Sequence, residues 1–255
     1  MQHAYQLPEH MVTELAGHTV AIEPFTNSVA WAYPSLHWDP EPVLQTYSAY
    51  ASNLDALDSN FIASARAPSR ILDGPNPAWA EIDGRYPYFE SPTTYVTILC
   101  HYAVLDAEGG WQLLERVPDR CGPNTLMGSV NATVGVPVTV PSGPPGSIVT
   151  ARFELSLPVA YHVSSIALKA PYMTFSARGS GGQGFDRVPG EFRFIAATAG
   201  DLHLLRPSSS IAYSPLYRPD TVSSFVLSGG DLVPGISHYV VRFYSMPIAD
   251  RGADS

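Results

Sequence analysis

The run Leu99-Cys100-His101-Tyr102-Ala103-Val104-Leu105-Asp106-Ala107-Glu108-Gly109-Gly110-Trp111-Gln112-Leu113-Leu114-Glu115-Arg116-Val117-Pro118-Asp119-Arg120-Cys121 divides this chain into two unlike halves. Apolar residues at Ala103-Val104-Leu105 and Trp111-Gln112-Leu113-Leu114 flank Gly109-Gly110, a pair that tolerates the positive φ of a tight two-residue turn, so a β-hairpin is expected. The cysteines bracket it. Neither has a metal-ligand pattern or a catalytic base nearby, and they read as a disulfide. Such a bridge closes a loop of about twenty residues and constrains the unfolded chain by roughly 3 kcal/mol, a gain open only in an oxidising compartment. The domain is therefore expected outside the cytoplasm. Met1 is followed by a polar stretch with neither the charged start nor the apolar run of a signal peptide, which suggests a piece of a larger exported protein.

N-terminal to the hairpin, apolar runs alternate with helix-period segments, the pattern of an α/β unit with a mostly parallel, Rossmann-like sheet. Pro8 starts a short helix with Met11, Val12 and Leu15 on one side and Gly17 as its stop. Thr19 to Glu23 reads as a strand, Ser28 to Tyr33 as a brief helix, and Val43-Leu44-Gln45 as a second strand. Ser52 caps the clearest helix, with Leu54, Leu57, Phe61 and Ile62 at the spacing of a buried face and Asp55, Asp58 and Asn60 outward. Arg70-Ile71-Leu72 is a third strand, and Ser91-Pro92 opens a helix carrying Val96, Leu99 and Cys100.

C-terminal to Cys121 the helical period disappears. Strands are expected at Val134–Val140, Ile148–Leu155, Ile166–Phe175, Glu191–Ala196, Leu202–Leu205, Val222–Leu227 and Tyr239–Tyr244, forming an antiparallel, jelly-roll-like β-sandwich. The resulting organisation is an α/β subdomain over 1–121, a linker over 122–128, a β-sandwich over 129–248 and a flexible tail over 249–255.

The chain has 255 residues and a net charge of -9, with a single lysine, Lys169. This acidity argues against nucleic acid and anionic membrane surfaces, both approached through basic patches. Gly179-Ser180-Gly181-Gly182-Gln183-Gly184 matches G-x-G-x-x-G, but it sits between strands, without the helix N-terminus that holds a pyrophosphate. Lys169 follows no glycine-rich loop. Eight histidines are scattered, with no pair at i, i+2 or i, i+4, and no zinc site is expected. No G-x-S-x-G elbow occurs. Asn131-Ala132-Thr133 matches a glycosylation sequon by chance. No cofactor and no metal are expected, and no catalytic residue is assigned.

Architecture points to one place. Open α/β sheets bind ligands at the carboxyl ends of their parallel strands. Glu23, Gln45, Tyr47, Ser48, Tyr50 and Asp73 are expected at that edge, joined by the loop holding Asn76, Trp79, Asp83, Arg85, Tyr86 and Glu90. Aromatic faces beside carboxylates suit sugar rings. Alternatively, the aromatics plug the seam between the halves and the polar groups cap helices. A hydrolase would use Ser48 with His18 or His101, or a carboxylate pair drawn from Glu23, Asp73, Asp83 and Glu90.

Several segments together carry a family likeness: Gly17-His18-Thr19-Val20 leading to Val29-Ala30-Trp31-Ala32-Tyr33, then Pro42-Val43-Leu44-Gln45-Thr46-Tyr47-Ser48-Ala49-Tyr50 with Leu54-Asp55. Ile82-Asp83-Gly84-Arg85, Glu90-Ser91-Pro92 and Leu114-Glu115-Arg116-Val117 continue it. Phe192-Arg193-Phe194-Ile195, Leu204-Leu205-Arg206-Pro207 and Val241-Arg242-Phe243-Tyr244 complete it. On these residues the chain resembles the extracytoplasmic C-terminal domains of large multi-pass actinobacterial membrane proteins, many with glycosyltransferase-C-like membrane halves. The resemblance implies an export-side domain tethered to a membrane enzyme or transporter that handles lipid-linked sugars. The expected role is non-catalytic: recognition of a glycan or partner in cell-envelope polysaccharide assembly, beside its own or a neighbouring membrane domain. A secreted hydrolase and a purely structural interaction domain are the alternatives.

Overall fold

The computed structural model describes residues 5–24, 26–44, 48–49, 51–74, 86–156, 172–179, 191–207, 222–229 and 236–249. Within them the chain is mixed α/β and rich in strands. One five-stranded sheet is mixed, and two four-stranded sheets are antiparallel.

The first half runs α1 (Glu9–Leu15), β1 (Thr19–Glu23), α2 (Val29–Ala32), β2 (His37–Trp38), α3 (Ser52–Ala63), β3 (Arg70–Asp73), α4 (Pro87–Glu90), α5 (Pro92–His101), β4 (Tyr102–Glu108) and β5 (Trp111–Arg116). The strands lie in the order β2-β1-β3-β5-β4. β1 is parallel to β2 and β3, whereas β5 is antiparallel to β3 and to β4. The mostly parallel sheet read from the sequence is thus mixed. Gly109 and Gly110, at φ 62° and 83°, turn the chain straight back so that the hairpin extends the same sheet.

Alternation along these strands serves both faces. Val20, Ile22, Leu72, Trp111 and Leu113 are buried with Met11, Leu15 and Val29 from α1 and α2. Ala21, Ile71 and Leu114 are buried on the other side with Ile62, Tyr95, Ile98 and Leu99 from α3 and α5. Side chains two apart on a strand share a face, so Glu23 and Asp73 point toward the α3–α5 side.

Two local expectations are corrected here. The second strand is His37–Trp38, not Val43-Leu44-Gln45. Pro40 and Pro42 remove ladder donors, and the Val43 N–H is donated to Asp58 Oδ1 at 2.8 Å; Gln45 lies outside the described residues. The buried face of α3 is also corrected in part: Ile62 is buried and Asn60 exposed as expected, but Asp55 and Asp58 are 0% exposed and Leu57 is 51% exposed.

The second half comprises β6 (Thr125–Thr133), β7 (Val138–Thr139), β8 (Ser147–Leu155), β9 (Tyr172–Gly179), β10 (Glu191–Ile195), β11 (His203–Pro207), β12 (Val222–Ser228) and β13 (His238–Pro247). The sheets β10-β9-β12-β7 and β11-β8-β13-β6 face each other across one core. Phe153, Phe175, Phe192, Phe194 and Phe225 dominate that core. β6 is a strand where the sequence suggested a linker over 122–128 and nothing before Val134. It is exposed along most of its length, so it lacks the apolar run of a strand buried on both faces.

The halves are fused rather than strung together. Ile148, Leu204, Met246 and Ile248 from the second half complete the core on the α3–α5 side. In return Phe89 of α4 enters the sandwich, 4.8 Å from the ring of Phe192 and 5.0 Å from that of Phe175. At the crossing, Cys121 bridges Ile248, and Cys100 and Cys121 form a disulfide with a Cα–Cα distance of 5.2 Å. Arg120 caps the end of α5, donating from Nε to the Leu99 carbonyl at 2.9 Å. No helix among the described residues is long and apolar enough to cross a membrane.

Candidate functional site

β1 and β3 are parallel neighbours whose register pairs Glu23 with Asp73 at their carboxyl ends. Parallel pairing therefore sets two carboxyls side by side on the α3–α5 face. The next residue, Gly74, donates its N–H to the Glu23 carbonyl at 2.9 Å, and a Cβ there would stand 2.4 Å from Thr26 Oγ1. Only glycine fits between the two strand exits.

α3 brings two further acids. Asp55, Asp58, Ser59 and Ile62 follow i, i+3, i+4, i+7, the spacing of one helical face, and all four are buried. Asp55 serves α5. Its Oδ2 accepts the Thr93 N–H at 2.8 Å, and its Oδ1 accepts the Thr94 N–H at 2.8 Å and the Thr94 hydroxyl at 2.7 Å. These are the orphan donors of a helix N-terminus, here capped by a carboxylate from a neighbouring helix. The Ser59 hydroxyl meets that of Thr97 at 2.8 Å, so the α3–α5 contact is a polar ladder. This is why α3 turns its acids inward. Ser52, read as the cap of α3, instead donates to Asp201 Oδ2 of the second half at 2.8 Å, and Ala51 holds the cap position.

Asp58 and Glu41 complete the constellation. The Asp58 carboxyl holds the Val43 N–H, and Glu41 hydrogen-bonds to Glu23. Tyr95 of α5 donates to Glu23 Oε2 at 3.0 Å. Burial pushes Glu41 well above the ordinary carboxyl range, and the nearby Glu23 and Asp58 charges push it further. Asp73 is raised by burial and then by Glu23. Asp58 is pushed up to about 7 by burial, against the Val43 hydrogen bond. Asp55 is also raised by burial despite the hydrogen bonds it accepts from Thr93 and Thr94. The strand ends thus hold a buried cluster of carboxyls in which burial favours the neutral form.

Between this cluster and α5 lies a narrow crevice with about 10 Å³ of free volume, lined by Glu23, Ile71, Asp73, Tyr88, Tyr95, Ile98 and Leu114. That is below the roughly 300–1,000 Å³ of sites for drug-sized ligands. It has room for little more than one water molecule, and the surface it exposes is apolar.

Of the residues expected at this edge, the structure brings Glu23 and Asp73 together. Glu90 is also buried, on α4, and Ser48 is half-buried. Gln45, Tyr47, Tyr50, Asp83 and Arg85 lie outside the described residues, as do Asn76, Trp79 and most of the Gly179–Gly184 loop. The rings of Tyr86 and Tyr88 meet at a tilt, their centroids 4.9 Å apart, and burial holds the Tyr86 phenol above its usual range. The two histidines that a Ser48 hydrolase would use are engaged elsewhere: His18 Nδ1 lies 3.1 Å from Ser69 Oγ, and His101 faces Asp119. Among the described residues, the group of three within ligand reach of one another is Cys100, Asp119 and Cys121, where the two sulfurs are already bonded together.

Glu41, Asp55 and Asp58 were not anticipated. The signal for the two aspartates was present, since Asp55, Asp58, Ser59 and Ile62 keep the same helical spacing as an apolar stripe. Glu41, between Pro40 and Pro42, carries no such mark. No family model, curated protein or solved structure matches the chain.

Proposed function

We propose that this chain is the extracytoplasmic, non-catalytic domain of a larger membrane protein and recognises a glycan in cell-envelope polysaccharide assembly. The observation that carries this reading is the in-register Glu23–Asp73 pair beside Tyr88 and Tyr95 at the strand exits. Carboxyls fixed next to aromatic rings offer hydroxyl acceptors and a stacking surface together. The disulfide fits an oxidising compartment. In finer terms the first half is Rossmann-like and the second jelly-roll-like, and the parent is a glycosyltransferase-C-like membrane protein to which the domain is tethered. Its partners are that membrane half and the envelope glycan.

Calorimetric titration with a panel of neutral and amino-sugar envelope oligosaccharides tests the proposal. Saturable heat with at least one of them, weakened tenfold or more by Glu23→Gln or Asp73→Asn, is expected. No heat with any member, or binding that both variants retain, overturns it.

A second reading, a carboxylate-pair hydrolase, is favoured by one observation: Asp58, pushed up to about 7 by burial, lies beside the carboxyls of Glu23 and Asp55. It requires turnover of a labelled oligosaccharide that Asp58→Asn abolishes.

A further inference from the structure

The sheet β11-β8-β13-β6 has one face in the sandwich core and one turned away from it. Part of the outward face is covered by the first half, through Ile148, Leu204 and Met246. Farther along the same strands the face lies open. Residues paired across neighbouring strands share a face, so the register sets Ser129, Arg242 and Arg152 in one row over β6, β13 and β8, and Asn131, Val240 and Glu154 in the next. The residues between them, Val241, Phe243 and Phe153, point into the core. Ser129, Asn131, Arg152 and Glu154 are exposed, and Arg242 is half-buried.

Two guanidiniums stand directly opposite each other in the first row, a placement in which like charges repel. One is neutralised: Arg242 donates from Nε and Nη2 to the two carboxylate oxygens of Glu154. The other is not. Arg152 lies with Cζ 5.6 Å from the centre of the Tyr244 ring, and none of the ion pairs among the described residues includes it. Asp201, at the margin of the face, accepts the Ser52 hydroxyl at 2.8 Å, and Arg152 acts on it less than burial and that hydrogen bond do. Acids outnumber Lys and Arg in the chain by 23 to 14, so Arg152 does not lack a carboxylate for want of acids.

We propose that this open face is a binding site for an anionic glycan. Arg152, lying over Tyr244, takes a carboxylate or phosphate group of the glycan through the paired donors of its guanidinium, and Ser129 and Asn131 meet the hydroxyls. The row from Ser129 to Arg152 spans two strand spacings, about 10 Å, room for polar groups on a chain that crosses the strands. Charge decides among polyanions. The net charge of -9 repels an extended anionic surface such as a bilayer or a nucleic-acid duplex, whereas a single strand with spaced charges touches this face alone. The site lies on the other half from the Glu23–Asp73 pair and stands or falls without it.

Titration of the full chain into end-labelled oligogalacturonate and into labelled poly(glycerol phosphate), followed by fluorescence anisotropy, tests the site, and the two probes separate a carboxylate ligand from a phosphate one. Saturable binding to at least one is expected, with Arg152→Gln weakening it about tenfold through the loss of one charge-assisted contact. Arg178→Gln removes an exposed guanidinium from β9 of the other sheet, controls for net charge and should bind as wild type does. Glu154→Gln takes away the acid of this face and should tighten binding about threefold. Where the carboxylate probe binds, its methyl ester keeps the rings, loses the charge and should not bind. Failure of both probes to bind overturns the proposal, and so does equal weakening by Arg152→Gln and Arg178→Gln. Binding to phosphatidylglycerol vesicles in place of both probes overturns it in favour of a lipid surface.

Discussion

At the scale of single residues, the burial of polar groups governs this protein more than its apolar count suggests. Asp55 shows why. It satisfies donors at the start of α5 that water cannot reach, so Asp55→Ala leaves two backbone N–H groups unmet and is expected to cost about 3 kcal/mol. Leu57→Gln, two positions along the same helix, removes an exposed apolar side chain and should stay within about 0.5 kcal/mol. Urea unfolding of both variants checks the contrast, and equal losses would contradict the inward turn of Asp55 on α3. His203 is the other buried titratable centre. It is 0% exposed among Phe89, Phe153 and Phe194, with Nε2 2.9 Å from the Thr198 carbonyl, and burial pulls it down to about 3. Its neutral form therefore contributes stability above the unfolded value near 6.5, lost as pH falls toward 3. Asp58 acts in the opposite sense: raised to about 7, it contributes stability below about pH 4 that is lost as pH rises through 7. Unfolding midpoints against pH should show both limbs, with Asp58→Asn flattening the alkaline one by a few kcal/mol, roughly 1.4 per pKa unit. An alkaline limb unchanged in that variant would refute the assignment.

At the scale of elements, the hairpin and the disulfide fix the place where the two halves exchange chain. The β4–β5 turn orients the segment that returns to Cys121, and the bridge pins it to the end of α5 while Ile248 pairs from β13. The cysteines are 21 residues apart, and removing the link by Cys100→Ser with Cys121→Ser should cost about 3 kcal/mol through the freer unfolded chain. Chemical unfolding of oxidised wild type against the double variant measures it; a difference below about 1 kcal/mol would mean that the seam core alone holds the crossing. The edge strand β6 belongs to this scale as well. Its partner β13 is central, paired to β8 along its whole length, whereas β6 has one neighbour and an exposed outer side. An exposed strand leaves a weak trace in the residues, and this explains why the first part of this nine-residue strand reads as a linker.

At the scale of the whole molecule, three apolar cores hold one body together, and the middle one draws on both halves. Phe89 is the reciprocal contact, a residue of the first half buried among the phenylalanines of the second. Phe89→Ala should destabilise by about 3–5 kcal/mol and, because the cores are shared, in a single unfolding transition. Two separated transitions by calorimetry would show that the halves fold independently. Much of this was legible in order along the chain. The opening helix with Met11 and Leu15, the strand Thr19–Glu23, the Gly109-Gly110 hairpin, the cysteine pair and most strands of the sandwich follow from local rules: spacing of apolar residues, turn chemistry and two sulfurs without another use. Glu23 and Asp73 were placed at one edge by the geometry of parallel strands. What tertiary structure alone decided is how distant residues satisfy one another. The inward turn of Asp55 and Asp58, the joining of Glu41 to Glu23 and the fusion of the halves through Phe89 each depend on partners dozens of residues away. A carboxyl in a sequence reads as solvated because water is its cheapest partner. Only the folded chain shows where another element has taken the place of that water.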